Sequence, residues 1–178
     1  MNLLLAIKTL RFIPVFFLLC VFLAALFYPG GNIHDSSQEG YSFTHNFLSD
    51  LGGYESHSSE QNFLSNFFFN MSMFVFALVG IAFLWIPQLF REDTLNWYLS
   101  CLGSFFLFIG TLFFAGVGLT PYELYLDIHI FFALNAFRLM VPGCLCFFIV
   151  LVRSNVEKRY SFIAGFYLFS VVAYVCYQ

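Results

Sequence analysis

Arg138 is the residue whose presence is hardest to explain by packing alone, because it lies inside the apolar stretch 120–152. A charge near the centre of a membrane helix costs about 2.5–3.5 kcal/mol on insertion scales, and a guanidinium has five N–H donors to satisfy. Asp127 shares its helix face but lies about 16 Å away along the axis, at ~1.5 Å per residue. We therefore expect Arg138 to find its partner on another helix, in lipid or in water.

A second group of polar side chains flanks the exterior ends of the predicted helices. Asn62, Asn66 and Asn70 recur every four residues and so share one helix face. Three amides that enter a membrane together are expected to point into the bundle and to hydrogen-bond across helices. We predict that these amides form one site with Arg138. The loop 30–62 and the polar start of the fourth predicted helix are expected to contribute further side chains to it. The predicted site residues are Arg138, Asn70, Asn66, Asp50, His129, Asp127, His45 and Ser49.

These residue types fit several kinds of chemistry. The favoured hypothesis is recognition of an anionic headgroup, since Arg138 can bind a phosphate or carboxylate in bidentate fashion. An alternative is a metal-dependent lipid hydrolase, since imidazoles and carboxylates bind zinc, although the sequence has neither an HxxxH nor an HExxH motif. A third is a structural or interaction protein in which Arg138 ties helices together through Asn70 and free carbonyls, and a fourth is a proton-coupled transporter. The sequence favours ligand binding without a metal or other cofactor, and favours a non-enzymatic role without settling whether the protein is an enzyme.

The composition places the chain among membrane proteins. Hydrophobic residues make up 61 % of the 178 residues and charged residues only 10 %, whereas a soluble domain has about 25 % charged residues. Five runs are long enough to cross ~30 Å of hydrocarbon, so we predict an all-α, polytopic integral membrane bundle of one domain, residues 1–178. The prediction leaves open a sixth helix after Gln178. The predicted helices cover about residues 10–29, 63–87, 96–119, 120–152 and 160–177.

Basic residues fall on one side of this five-helix arrangement. Six of the seven Lys and Arg residues flank the same ends of the helices, and the exterior loop 30–62 has none. The positive-inside rule then predicts a cytoplasmic N-terminus, with the loop and the C-terminus exterior, and we expect a bacterial inner membrane. The exterior side lacks a basic patch, so we expect membrane lipids rather than nucleic acid as partners.

Two local features position the predicted site. The loop segment 41–53 mixes aromatic with polar side chains and is expected to pack over the outer mouth of the bundle. The fourth helix is expected to begin with a capping box, in which Thr120 is the N-cap, Pro121 follows and Glu123 reaches back to the cap.

Four short motifs occur in a recognisable order between residues 40 and 152. They are Ser49-Asp50-Leu51-Gly52, Phe67-Phe68-Phe69-Asn70, Gly116-Val117-Gly118-Leu119-Thr120-Pro121 and His129-Ile130-Phe131-Phe132-Ala133. This order resembles the DRAM/Sfk1-type membrane family and the uncharacterised prokaryotic membrane proteins similar to it. The resemblance implies six helices, a role in lipid-anchor remodelling, lipid organisation or autophagy-linked functions, and Ser49, Asp50, Gly52, Asn70 and His129 as characteristic residues.

A fainter similarity links the chain to intramembrane metal hydrolases of the ceramidase and progestin-receptor type. Those proteins use a Ser, an Asp and three His residues, and the HxxxH motif that closes their metal site is absent here.

Overall fold

A computed structural model describes residues 2–177, and their regular secondary structure is predominantly helical. The all-α prediction is confirmed: five α-helices are long and apolar enough to cross a membrane, and within residues 2–177 extended structure is limited to two isolated bridges. The helices are α1 (Leu3–Phe27), α2 (Phe63–Phe83), α3 (Thr94–Leu119), α4 (Tyr122–Arg153) and α5 (Lys158–Tyr177), with short 3₁₀-helices at Leu48–Gly52 and Ile86–Phe90.

The first helix begins earlier than predicted. Its start was placed near residue 10, where the apolar run begins, but the helix starts at Leu3. Asn2 explains the difference, because its Oδ1 accepts a hydrogen bond of 2.8 Å from the Leu5 N–H, as an N-cap does. Hydropathy marks the part of a helix that can lie in lipid, whereas the cap decides where the helix begins.

The predicted capping box of α4 is wrong. The Thr120 hydroxyl donates to the Gly116 carbonyl at 2.8 Å, back towards α3. The Glu123 carboxylate accepts hydrogen bonds from the backbone N–H groups of Tyr54 and Glu55 in the loop. The Glu123 side chain therefore makes a tertiary contact with the loop instead of the predicted local contact with the helix cap.

Contacts within the chain divide it into two compact units. The first, which we call the acidic unit, comprises Ile13–Phe76 and Phe114–Phe132, and the second, the basic unit, comprises Met1–Phe12, Ala77–Phe113 and Ala133–Gln178. The acidic unit contains seven Asp and Glu residues and no Lys or Arg, whereas the basic unit contains all seven Lys and Arg residues and three acids. Charge is thus segregated between the two units, and the candidate residues divide between them.

The core of the acidic unit joins α1, α2 and the loop. Ala24 and Tyr28 from the end of α1, Phe69 and Met73 from α2, and Leu51 from the loop 3₁₀-helix are each no more than 5 % exposed and pack together. A loop residue with no exposed surface in this cluster means that the segment around Leu51 is an integral part of the fold.

Small residues bring the helices of the basic unit close together. A side chain at Gly80 would collide with the Thr111 side chain and the Phe108 backbone, and one at Gly143 would lie 3.2 Å from the Gly103 carbonyl. The Ser104 hydroxyl donates to a carbonyl of α2 at 2.8 Å. These contacts join α2 to α3 and α3 to α4, which is the packing expected of small residues in membrane helices.

Candidate functional site

Asp50 is the buried carboxylate of the loop, only 3 % exposed. Its Oδ2 accepts hydrogen bonds from the Asn46 side chain at 3.0 Å and from the Phe47 N–H at 2.9 Å. The Nε2 atom of His57 lies 3.4 Å from the same oxygen, close enough for an ion pair when the imidazole is protonated. His57 was not among the predicted residues, because nothing in its local sequence distinguishes it from His34 or His45.

The asparagine face of α2 binds the loop. Nδ2 of Asn66 donates to the carbonyl of Gly52 at 2.7 Å, and Nδ2 of Asn70 donates to the same oxygen at 3.1 Å. Asn62 directly precedes α2, and its Nδ2 lies within 3.3 Å of the carbonyl oxygens of Asp50, Leu51 and Gly53. The shared face was predicted, but the amides bind loop carbonyls rather than a neighbouring helix.

The two loop glycines are required by close approach. A Cβ atom at Gly52 would lie 2.6 Å from Asn70 Oδ1 and 2.7 Å from the Phe69 ring, and one at Gly53 would collide with the Glu123 carboxylate. Neither glycine has a positive φ, so the constraint is space rather than backbone conformation. Both glycines therefore serve close packing, and the loop packs directly against α2 and the first turn of α4.

His129 is buried at the start of α4 and fixed by one hydrogen bond. Its Nδ1 lies 2.6 Å from the Thr120 carbonyl oxygen, and a carbonyl only accepts, so Nδ1 carries the proton. In the neutral ring Nε2 is then the basic nitrogen. The ring of Tyr122 lies 6.4 Å from His129 and 6.3 Å from His57, centroid to centroid, so one aromatic ring neighbours both imidazoles.

Two tyrosines connect the end of α1 to the loop. The Tyr28 hydroxyl oxygen accepts a hydrogen bond of 3.3 Å from the His57 N–H, and the Tyr28 ring contacts that of Tyr41 edge-on at 5.8 Å. Burial raises the pKa of Tyr28. Burial, followed by the negative charge of Asp50, raises the pKa of Tyr41 to about 12. Both phenols therefore stay neutral through the physiological range.

The remaining predicted loop and α4 residues lie outside this hydrogen-bonded group. His45 is exposed, and its Nδ1 contacts the Thr44 hydroxyl at 2.9 Å; Asp127 is exposed and Ser49 half-buried. Within residues 2–177 no group of three or more His, Cys, Asp or Glu side chains is suited to hold a metal ion. The described residues therefore give no support to the metal-hydrolase alternative.

Arg138 belongs to the basic unit and lies halfway along α4. Its side chain is exposed, and across the described residues 2–177 no hydrogen bond or ion pair involves its guanidinium. The predicted partner Asn70 donates its amide to Gly52. A single pocket that combines Arg138 with Asp50, Asn66 and His129 therefore stays a prediction.

A surface cleft occurs in each unit. In the acidic unit, a cleft of about 290 Å³ opens beside the start of α2, lined by Tyr54, Glu55, Gln61, Phe63 and Asn66. In the basic unit, a cleft of about 360 Å³ contains Asn96 and Arg153. Arg153 Nε donates to Asn96 Oδ1 at 3.0 Å, and its guanidinium lies 3.6 Å from Asp93. This pairing ties the start of α3 to the end of α4, and no sequence pattern indicated it.

Comparisons of the chain with protein-family models, with curated proteins and with solved structures find no match. The resemblance to the DRAM/Sfk1-type family therefore stays a prediction, and the function has to be argued from the geometry.

Proposed function

We propose that this chain is an integral membrane protein that binds a lipid or other amphiphile with an anionic headgroup, and that Arg138 contacts the anion. The observation that carries the proposal is the exposed guanidinium on a helix that is apolar enough to cross a membrane. A guanidinium facing hydrocarbon needs an anion or water for its donors. A lipid phosphate supplies the anion in the geometry that arginine binds best.

The position of Arg138 along α4 fits a headgroup at the membrane surface. Residues 139–152 are uninterrupted by charge and Arg153 follows them. If Arg153 lies at one boundary, Arg138 is about 22 Å from it at ~1.5 Å per residue, and so about 8 Å below the opposite boundary of a ~30 Å hydrocarbon layer. Helical side chains tilt towards the helix N-terminus, which is the direction of that nearer surface, and arginine snorkels over this distance.

The charge distribution gives Arg138 the main part in recognition. The acidic unit has no Lys or Arg, so it offers an anion no permanent side-chain cation. Asp50, Asn66, Asn70 and His129 act indirectly in this proposal, by fixing the loop and the start of α4. The positive-inside rule supports a cytoplasmic N-terminus with an exterior loop and C-terminus, and the proposed location is a bacterial inner membrane.

The proposal is tested by counting retained lipids. Wild-type protein and the Arg138→Gln and Arg138→Lys variants are incorporated into nanodiscs of phosphatidylcholine with increasing phosphatidylglycerol, then released in mild detergent for native mass spectrometry. We expect wild type to retain a discrete phosphatidylglycerol adduct, Arg138→Lys to retain less of it because a lysine cannot bind in bidentate fashion, and Arg138→Gln to lose it.

Arg159→Gln is the matched control. Arg159 is an exposed arginine at the start of α5 whose Nε lies 2.9 Å from Glu157, and its replacement removes the same charge elsewhere. It is expected to leave the adduct in place. Equal adducts in wild type and Arg138→Gln would refute the proposal, and a lowered unfolding temperature with unchanged lipid would instead identify Arg138 as a structural tie.

A further inference from the structure

The loop of the acidic unit exposes a group of large apolar side chains. Phe43 is 78 % exposed, Phe47 62 % and Leu48 45 %, and all three lie in the segment 41–48, which we call the aromatic turn. This segment contains no Asp, Glu, Lys or Arg, although the loop around it is acidic. A group of exposed apolar side chains on an otherwise polar loop indicates a surface that contacts a membrane or another protein.

The aromatic turn is held rigidly. The side chain of Asn46 points inwards, where its Oδ1 accepts hydrogen bonds from the Ser42 N–H at 3.0 Å and the Gln38 amide at 3.2 Å. Its Nδ2 donates to the Gly31 carbonyl at 2.8 Å and to Asp50 at 3.0 Å. Because Asn46 is fixed in this way, the turn holds the exposed rings of Phe43 and Phe47 in defined positions.

The turn is connected to the end of the first candidate membrane span. The Phe43 ring contacts Tyr41 edge-on at 5.1 Å, and Tyr41 contacts Tyr28 at 5.8 Å. Tyr28 directly follows Phe27, the last residue of α1. Phe43 is therefore two ring contacts away from the point where the chain leaves that candidate span, and aromatic side chains are enriched at the ends of membrane spans.

We propose that the aromatic turn inserts Phe43, Phe47 and Leu48 into the membrane–water interface, against zwitterionic lipid. The lipid surface is favoured over a protein partner because α1 brings the turn to the end of a membrane span. Zwitterionic headgroups are favoured because the acidic unit carries seven acids and no Lys or Arg, so an anionic surface would repel it. This inference does not involve Arg138 and stands independently of the proposed function.

Fluorescence of the Phe43→Trp variant tests the insertion. The substitution keeps an aromatic ring at an exposed position, and wild-type emission from Trp85 and Trp97 is subtracted. The protein is placed in nanodiscs of phosphatidylcholine, with or without bromine on the acyl chains. We expect the additional emission to be blue-shifted, to be largely lost with brominated lipid, and to resist quenching by aqueous iodide.

Ser36→Trp provides the comparison. Ser36 is an exposed residue of the same loop in the polar run before the aromatic turn, and a tryptophan there is expected to be quenched by iodide and unaffected by bromine. Iodide quenching of Phe43→Trp without bromine quenching would overturn the proposal. So would protection from iodide without bromine quenching, because that pair of results indicates a protein surface over the turn, either a second copy or another partner.

Discussion

The Asn62→Asp substitution tests most directly whether the asparagine face of α2 holds the loop. Asn62 is 1 % exposed, and its Nδ2 contacts three loop carbonyls at 3.3, 3.3 and 3.0 Å. Aspartate has nearly the same shape but replaces the donating NH₂ group with an oxygen. The change therefore removes the hydrogen bonds without leaving a cavity.

The contacts that remain set the size of the effect. Each of the three carbonyls keeps another donor, from the Ser65 hydroxyl, the Asn66 amide or the Gly53 N–H, so none becomes wholly unsatisfied. Nδ2 has only two hydrogens to share among the three carbonyls, so the loss is the net value of about two hydrogen bonds, each about 0.5–1.5 kcal/mol. Because the new carboxyl group is also buried against these carbonyl oxygens, we expect a cost of at least about 2 kcal/mol. At roughly 2–4 °C per kcal/mol for a chain of this size, the apparent Tm then falls by at least about 4–8 °C.

The assay uses the protein's own thiols. Cys20 and Cys146 are buried, so a thiol-reactive dye reports unfolding during a thermal ramp in detergent. Gln61→Glu is the matched control, because it makes the same amide-to-carboxyl change one residue earlier at an exposed position, where substitutions change stability by at most about 0.5 kcal/mol. If both variants unfold at the same temperature as wild type, the amide–carbonyl contacts do not stabilise the loop and the reasoning is wrong.

Two further predictions concern the same loop. Gly52→Ala places a methyl group 2.6 Å from Asn70 Oδ1 and 2.7 Å from the Phe69 ring, and overpacking of this kind costs about 1–3 kcal/mol; an unchanged thermal midpoint in the dye assay would contradict the close approach. Because the pKa of Tyr41 is raised to about 12, the unfolded state loses the phenol proton first, so stability is intact below pH ~10 and falls as pH rises through the folded-state pKa. Thermal midpoints of Tyr41→Phe should therefore decline less than those of wild type above pH ~10, and parallel declines would contradict the assigned burial.

The helices could be predicted because their signal is local. Runs of apolar residues longer than ~17 residues identify spans without knowledge of their neighbours, and all five predicted spans are helices. The errors lie at the ends, where single side chains decide the boundary. Asn2 starts α1 with a cap that hydropathy does not detect, and Thr120 follows the end of α3 instead of capping α4.

The candidate site was predictable only in part, because many of its hydrogen bonds join residues that are distant in sequence. The spacing of Asn66 and Asn70 predicts a shared face, since helical periodicity is local. The glycines that receive their hydrogen bonds lie 13 to 18 residues earlier, and Glu123 meets the loop 69 residues from Tyr54. Residue type alone does not indicate contacts between such distant positions. The contacts of His57 and Glu123 with the loop were therefore not predicted.

The segregation of charge bears on how an anionic ligand would arrive. Seven carboxylates without a Lys or Arg make the acidic unit repel anions from solution, and this repulsion weakens beyond the Debye length of about 8 Å at physiological salt. An amphiphile already anchored in the bilayer diffuses in the membrane plane and approaches an arginine on a membrane span without first crossing from water into the hydrocarbon. Under the proposed function, we therefore expect the protein to select membrane-borne over soluble anions. Inorganic phosphate should then fail to displace phosphatidylglycerol from wild-type protein at any physiological ionic strength, and efficient displacement by phosphate would show that the anion reaches Arg138 from the aqueous phase.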